Sequence, residues 1–149
     1  MNMKDERQFV GYSKYRSRLV DGHVHTELCP HGSGDRTAMM IEKAIELRIE
    51  KVCLTEHAPL PTAFAAEYGG DKKAYDTASL KLNEVDTYLE LGRQLQRAYG
   101  THIDISLGFE VDYIPGFESD IQEFLDRYGP LTDDNILSVH FMEGVNNAF

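Results

Sequence analysis

The sequence is poor in several features that mark particular classes of protein. It has no tryptophan and only two cysteines in 149 residues, too few for the disulfide framework of a small secreted protein. No apolar run approaches the roughly 20 residues of a membrane-spanning helix. The charged start of the chain, MNMKDERQFV, lacks the apolar segment of a secretory signal. We therefore expect a cytoplasmic protein with reduced cysteines and no membrane partner.

Positive charge is also scarce. Fifteen Lys and Arg residues stand against 25 Asp and Glu residues, which gives a formal net charge of −10. This balance argues against nucleic-acid binding, because little here would neutralise a phosphate backbone. The hydrophobic fraction of 42% is enough for the buried core of one domain. The chain is nevertheless short for a closed (β/α) barrel, which usually needs about 200 residues or more.

Strand and helix patterns alternate after a polar N-terminal arm, residues 1–17. Short apolar segments predict strands at about 19–24, 51–55, 103–111 and 135–139. Apolar residues at helical spacing predict helices at about 37–47, 79–99 and 117–128, and a long loop is expected at 58–77. Strands that alternate with helices predict an α/β fold with a parallel sheet and right-handed crossovers.

Metal-ligating residue types stand where these strands end. His23 and His25 end the first strand, His57 the second, Glu110 the third and His140 the fourth. The carboxyl ends of parallel strands share one rim, where function gathers. A His-x-His pair on a strand places both rings on the same side, so they can share one cation, and Glu110 can bridge to a second. Such ligands suit Zn, Fe or Mn, and two metals about 4 Å apart can clamp a phosphoryl group.

The sequence allows either a functional or a purely structural role for several residues near these ligands. Cys29 is either a ligand for a soft metal or a small loop residue. Glu56 either hydrogen-bonds a ligand imidazole or is a surface charge. Asp35 either orients a ligand or a proton, or caps the first helix. Glu110 taken alone is better explained as a cap or an ion-pair partner than as a metal ligand. His102 begins a strand and should therefore lie at the opposite end of the sheet.

The segments that carry these residues resemble the PHP (polymerase and histidinol phosphatase) superfamily. They are DGHVHT at 21–26, CPHGS at 29–33, TEHAPLP at 55–61, GFEVDYI at 108–114 and ILSVHF at 136–141. The sequences of these segments are close to those of the histidinol-phosphatase branch in particular, and CPHGS and EHAPLP are the most specific parts. The resemblance covers about residues 19–141.

This resemblance implies a distorted (β/α)7 barrel with up to three divalent metals, Zn, Fe or Mn, at its carboxyl rim. It assigns His23, His25 and Glu110 to a first metal, Glu110 and His140 to a second, and His31 and His57 to a third. The implied reaction is hydrolysis of a small phosphorylated metabolite, L-histidinol phosphate, in histidine biosynthesis. The implied nucleophile is hydroxide generated at the metals, so no side chain is assigned that role; Glu56 and Asp35 are candidates to support it.

The family pattern continues past the fourth strand with another His and a later Asp-x-His, which this sequence does not contain. We therefore expect residues 18–149 to be the N-terminal portion of a PHP domain: about four parallel βα units of a partial (β/α)7 barrel, with the C-terminal strands absent. Such a chain should be weakly active or inactive alone, with an open sheet edge through which it could self-associate. Two alternatives remain: a PHP phosphoesterase with another substrate, and an inactive fragment or interaction module.

Overall fold

A four-stranded parallel sheet forms the centre of the molecule. The computed structural model describes residues 18–67 and 75–141, so the predicted arm at 1–17 lies outside the described residues. The strands are β1 (Val20–Val24), β2 (Lys51–His57), β3 (Asp104–Asp112) and β4 (Ile136–Ser138), and they lie in the sheet in chain order. All three neighbouring pairs are parallel, which confirms the α/β prediction.

Helices connect successive strands and cover the sheet. They are α1 (Thr37–Glu46), α2 (Thr62–Glu67), α3 (Val85–Tyr99) and α4 (Glu118–Tyr128), with 3-10 turns at Leu82–Glu84 and Gly129–Leu131. The prediction of an uninterrupted loop at 58–77 is wrong, because α2 lies within it. A helix of six residues spans less than two turns, too short for an apolar period to show in the sequence. Within residues 18–67 and 75–141, no helix is long and apolar enough to cross a membrane.

The first turn of α1 is held by a residue that the sequence pattern did not indicate. Asp35 does not cap this helix: its carboxylate accepts a hydrogen bond from the hydroxyl of Ser33 at 2.9 Å, and the residue preceding the helix is Arg36. The carboxylate of Glu27 instead accepts hydrogen bonds from the backbone N–H of Thr37, at 2.7 Å, and from its hydroxyl. A negative charge at this position also complements the positive end of the helix dipole.

The strand register sets the positions of the polar residues at the rim. β2 and β3 pair residue for residue from Lys51 opposite Asp104 to His57 opposite Glu110. β4 is offset along the sheet and pairs Ile136 with Glu110. The carboxyl end of β2 therefore lies beside Glu110, and the carboxyl end of β4 lies beside Asp112, two residues further along β3. Below them, apolar side chains of the sheet pack against α1, α3 and α4 in one buried core.

Two close contacts tie the layers together. The Tyr88 hydroxyl, on α3, lies 3.0 Å from the carbonyl oxygen of Leu54 and 2.6 Å from that of Gly108. Because this hydroxyl reaches both central strands, it fixes α3 to the sheet. On the other side, Gly108 lies directly under the carbonyl of Asp134, where a Cβ would be 1.5 Å from that oxygen. Only glycine permits the segment before β4 to approach β3 this closely.

Candidate metal centre

The buried carboxylate of Glu110 lies at the centre of the rim. Its Oε2 atom is 3.0 Å from His23 Nε2, 3.1 Å from His57 Nδ1 and 3.4 Å from His25 Nε2. Its Oε1 atom is 3.5 Å from His140 Nε2. Glu110 itself is only 3% exposed. Side chains from the ends of β1, β2 and β4 therefore converge on one carboxylate, which β3 provides.

The fifth rim imidazole, His31, comes from the loop after β1 and lies beside the same cluster. Its ring centroid is 5.0 Å from that of His57, which in turn stacks on His25 at 4.4 Å. Nδ1 of His31 lies 2.8 Å from the carbonyl oxygen of Thr77. A carbonyl only accepts, so Nδ1 carries the proton and Nε2 is left as the ring nitrogen that can coordinate. The structure thus brings together all six residues that the resemblance assigned to metals.

Glu56 lies behind His25 and is completely buried. Its Oε1 atom accepts a hydrogen bond from His25 Nδ1 at 3.1 Å, and its Oε2 atom accepts from the backbone and the hydroxyl of Thr26 at 2.8 and 2.7 Å. Burial opposes the ionised form, but these bonds outweigh it and lower the pKa of Glu56, while the bond to Glu56 raises the pKa of His25. Glu56 therefore fixes the ring of His25 with Nε2 toward the rim.

Asp112 supports His140 in the same manner, and sequence reasoning did not single it out. Its Oδ1 atom accepts from His140 Nδ1 at 2.9 Å, from the His140 backbone N–H at 3.1 Å and from the Ser138 hydroxyl at 3.1 Å. The signal was present, since Asp112 follows Glu110 by two residues on β3 and so shares its face. Its carboxylate turns Nε2 of His140 toward Glu110.

His57 provides a test of whether a cation fits this centre. Its Nδ1 atom is buried and has no hydrogen-bond partner; it lies near Glu110 Oε2, but the angles are not those of a hydrogen bond. Burial lowers the pKa of His57, which favours the neutral ring with a free lone pair. A buried polar atom without a partner is costly, and a cation would supply one. The donor set therefore fits a divalent metal.

Potential ligand atoms form three groups around this rim. Within each group, all the ligand atoms lie within 4.8 Å of one another. One contains His23, His25 and Glu110; one contains His57, Asp112 and His140; and one contains His25, Cys29 and His57. Asp35 is in none of them, and its hydrogen bonds are to Ser33. His102 precedes β3 and so lies at the opposite end of that strand from Glu110.

Comparison with protein families and characterised proteins gives a consistent result. The family model of the PHP domain matches residues 21–149. The histidinol-phosphatase of Bacillus subtilis (strain 168) is 41% identical over 122 residues, which are 82% of this chain and 44% of that protein. A probable histidinol-phosphatase of Deinococcus radiodurans is 27% identical over 124 residues, 83% of this chain and 43% of that protein.

Solved structures share the fold. A putative histidinol phosphatase from Listeria monocytogenes superposes with a TM-score of 0.83 at 43% identity, over 87% of this chain and 47% of that one. A histidinol phosphate phosphatase from Lactococcus lactis, crystallised with zinc, L-histidinol and phosphate, gives a TM-score of 0.64 at 26% identity, over 84% and 41%.

This chain therefore spans less than half the length of the relatives it matches, and its four parallel strands form a half-barrel. The family match, which covers most of the sequence, agrees with the position of the ligand-type residues at the carboxyl rim. The chain belongs to the PHP domain family.

Proposed function

We propose that this chain carries part of the active site of a metal-dependent phosphomonoester hydrolase that converts L-histidinol phosphate and water to L-histidinol and phosphate in histidine biosynthesis. The observation that carries the proposal is the ring of four imidazoles around the buried carboxylate of Glu110. The substrate is proposed from the histidinol phosphatases of Bacillus subtilis and Lactococcus lactis, to which the chain is similar.

The charge of the rim supports a requirement for metal. Glu56, Glu110 and Asp112 are buried carboxylates in or behind the cluster, and the whole chain has a formal net charge of −10. A phosphate monoester is itself anionic, so these groups would repel it unless cations lay between them. Imidazole and carboxylate ligands suit Zn, Fe or Mn. We favour zinc, because the Lactococcus lactis protein was crystallised with it.

The proposed ligand assignment follows the family resemblance, and the first metal's ligands also form one of the three groups of neighbouring ligand atoms. His23, His25 and Glu110 would hold one metal, Glu110 and His140 a second, and His31 and His57 a third. When bound, such cations supply Lewis acidity toward the phosphoryl group and toward water. The six proposed ligands come from a rigid sheet and the loop beside it, which keeps their donor atoms in place before substrate arrives.

The residues behind the ligands position them. Glu56 holds Nδ1 of His25, Asp112 holds Nδ1 of His140, and the Thr77 carbonyl holds Nδ1 of His31. Each bond fixes the tautomer in which Nδ1 carries the proton and the lone pair of Nε2 is free to bind a metal. Water is excluded from the deep side of the cluster, since Glu56 is completely buried and His57 is 7% exposed. The exposed side faces solvent through His23, where a small phosphorylated metabolite could approach.

The test is phosphate release by the purified chain after loading with zinc, iron or manganese. From this partial chain we expect weak release, which should be greater from L-histidinol phosphate than from other phosphate monoesters and should be abolished by a chelator. The matched control is His102→Ala, which removes an imidazole remote from the rim, compared with Glu110→Gln. A preference for another ester would favour a PHP phosphoesterase of different substrate, and equal activity in Glu110→Gln would contradict the proposed site.

A second candidate is a chain that functions in association with another polypeptide. It is favoured by the exposed apolar residues at the β4 edge: Leu137 is 70% exposed and Val139 is 54% exposed. Among the described strands, β4 pairs only with β3, so its other edge is open to a partner. Light scattering after size exclusion would give the mass in solution; a monomer at all concentrations would contradict self-association.

The proposed location is the cytoplasm, in keeping with two unpaired cysteines.

A further inference from the structure

Cys29 lies against the rim cluster, and the proposed function gives it no role. Its sulfur belongs with one ring nitrogen each of His25 and His57 to a group whose ligand atoms all lie within 4.8 Å of one another. The residue is 7% exposed and forms no disulfide. The sulfur is therefore close enough to two imidazoles for all three to contact one cation.

The loop that carries Cys29 holds the sulfur in place. The Cys29 N–H donates to the carbonyl of Thr26 at 3.0 Å, and the Gly32 N–H donates to the carbonyl of Cys29 at 3.1 Å. Thr26 is itself bonded through its backbone and hydroxyl to the buried carboxylate of Glu56. Gly32 packs closely, since a Cβ there would lie 3.2 Å from Cys29 Cβ and 3.6 Å from the sulfur. The thiol is thus anchored next to the imidazoles by several local contacts.

His57, a member of this group, gives a separate sign that a ligand binds at the rim. More than nine-tenths of the residue is buried, and its Nδ1 atom has no hydrogen-bond partner. A buried imidazole beside a thiol is a donor set for zinc, cadmium or a similar soft or borderline metal. Magnesium, calcium and manganese prefer oxygen ligands and would gain little from the sulfur.

We infer that Cys29 is a thiolate ligand for a zinc-type or cadmium-type cation held together with His25 and His57. As the sulfur–metal bond forms, the S–H bond breaks and the proton passes to solvent. The inference rests on the proposed function, which treats both imidazoles as metal ligands, although of different metals. Because Nδ1 of His25 is bonded to Glu56 and Nε2 has one lone pair, His25 would serve the cation at Cys29 in place of the first metal. It adds that the sulfur makes this part of the rim prefer soft metals over oxygen-seeking ones.

The test is a cadmium titration of the full chain, followed by calorimetry and by the ultraviolet charge-transfer band of a thiolate–cadmium bond. We expect the wild-type chain to develop this band as cadmium binds. Cys29→Ser should lose the band, and its cadmium affinity should fall by at least about tenfold, because even loss of a residue behind a ligand costs that much. The matched control is Cys53→Ser: Cys53 is also buried and unpaired, but lies in β2 outside the three ligand groups.

Two results overturn the inference. The first is cadmium binding to the wild-type chain without a thiolate band, a result that does not depend on whether any variant folds. The second is a band that survives in Cys29→Ser. Either would leave the proposed phosphatase site standing, because the remaining imidazoles and Glu110 would still bind the metal. Conversely, a cadmium–sulfur band in a chain whose phosphate release is unchanged by Glu110→Gln would sustain the inference while contradicting the proposed phosphatase site.

Discussion

Replacement of Gly108 by alanine tests the close approach of β3 to the segment that leads into β4. The new Cβ would lie 1.5 Å from the carbonyl oxygen of Asp134 and 2.7 Å from its carbonyl carbon. These are backbone atoms, so the clash cannot be relieved by rotation of a side chain. The segment must move away from β3 or the strand must bend.

That movement would break hydrogen bonds which hold the segment against β3. The N–H of Leu107 donates to Asp133 Oδ2 at 2.9 Å, and the N–H of Phe109 donates to Asn135 Oδ1 at 2.8 Å. A buried donor left without a partner costs about 1–3 kcal/mol, and overpacking alone costs about 1–3 kcal/mol. With partial relaxation, we expect Gly108→Ala to lower the free energy of unfolding by about 3–5 kcal/mol.

Urea unfolding followed by circular dichroism measures this loss. With the slope of roughly 2 kcal/mol/M usual for a domain of this size, the midpoint should fall by about 2 M. The matched control is Gly129→Ala: Gly129 has helical φ and ψ of −55° and −40°, and a Cβ there would meet nothing within 4 Å. That variant should be neutral or gain up to about 1 kcal/mol. A loss of less than about 1 kcal/mol in Gly108→Ala would refute the reasoning.

Three further outcomes are expected. Tyr88→Phe should lower the free energy of unfolding in urea by about 1–3 kcal/mol, because it removes the hydrogen-bond partner of buried carbonyls. The control Tyr113→Phe, at an exposed residue, should change it by no more than about 0.5 kcal/mol. Equal effects of the two variants would contradict the role of the buried hydroxyl. Asp112→Asn should weaken zinc binding about 10–100-fold in calorimetry by loosening His140, while Asp126→Asn on α4 leaves it unchanged; an unaltered affinity in the first variant would argue against this support. A chelator should lower the thermal midpoint of the metal-loaded chain, since a cation bound only by the folded state stabilises it, and identical midpoints would speak against binding.

The parallel sheet and the convergence of the rim could be predicted from the sequence for a simple physical reason. The two central strands, β2 and β3, are almost completely buried and have short continuous apolar segments, and the polar residues that end parallel strands must lie at the carboxyl edge. His57 lies at the end of β2 and Glu110 near the end of β3, and the two residues are paired in register. Their positions at the ends of the predicted strands were therefore enough to place them side by side. The same reasoning placed His102 at the opposite end.

Other features depend on contacts that a linear pattern does not contain. The cap of α1 comes from Glu27, ten residues before Thr37, and nothing local distinguishes it from Asp35, the nearer acidic residue. Asp112 could have been found from its two-residue spacing to Glu110, but its role depends on His140, which arrives from another strand. Tertiary contacts decide both cases, and α2 was missed because it is so short.

The most direct test of the central claim, that the rim around Glu110 is a divalent-metal centre, is the zinc content of the full chain after equilibration and gel filtration, measured by elemental analysis. We predict at least about one bound zinc per wild-type chain, its loss in the double variant His23→Ala with His25→Ala, and its retention in His102→Ala. A wild-type chain without zinc, or a double variant that binds as much as the wild type, would contradict the account.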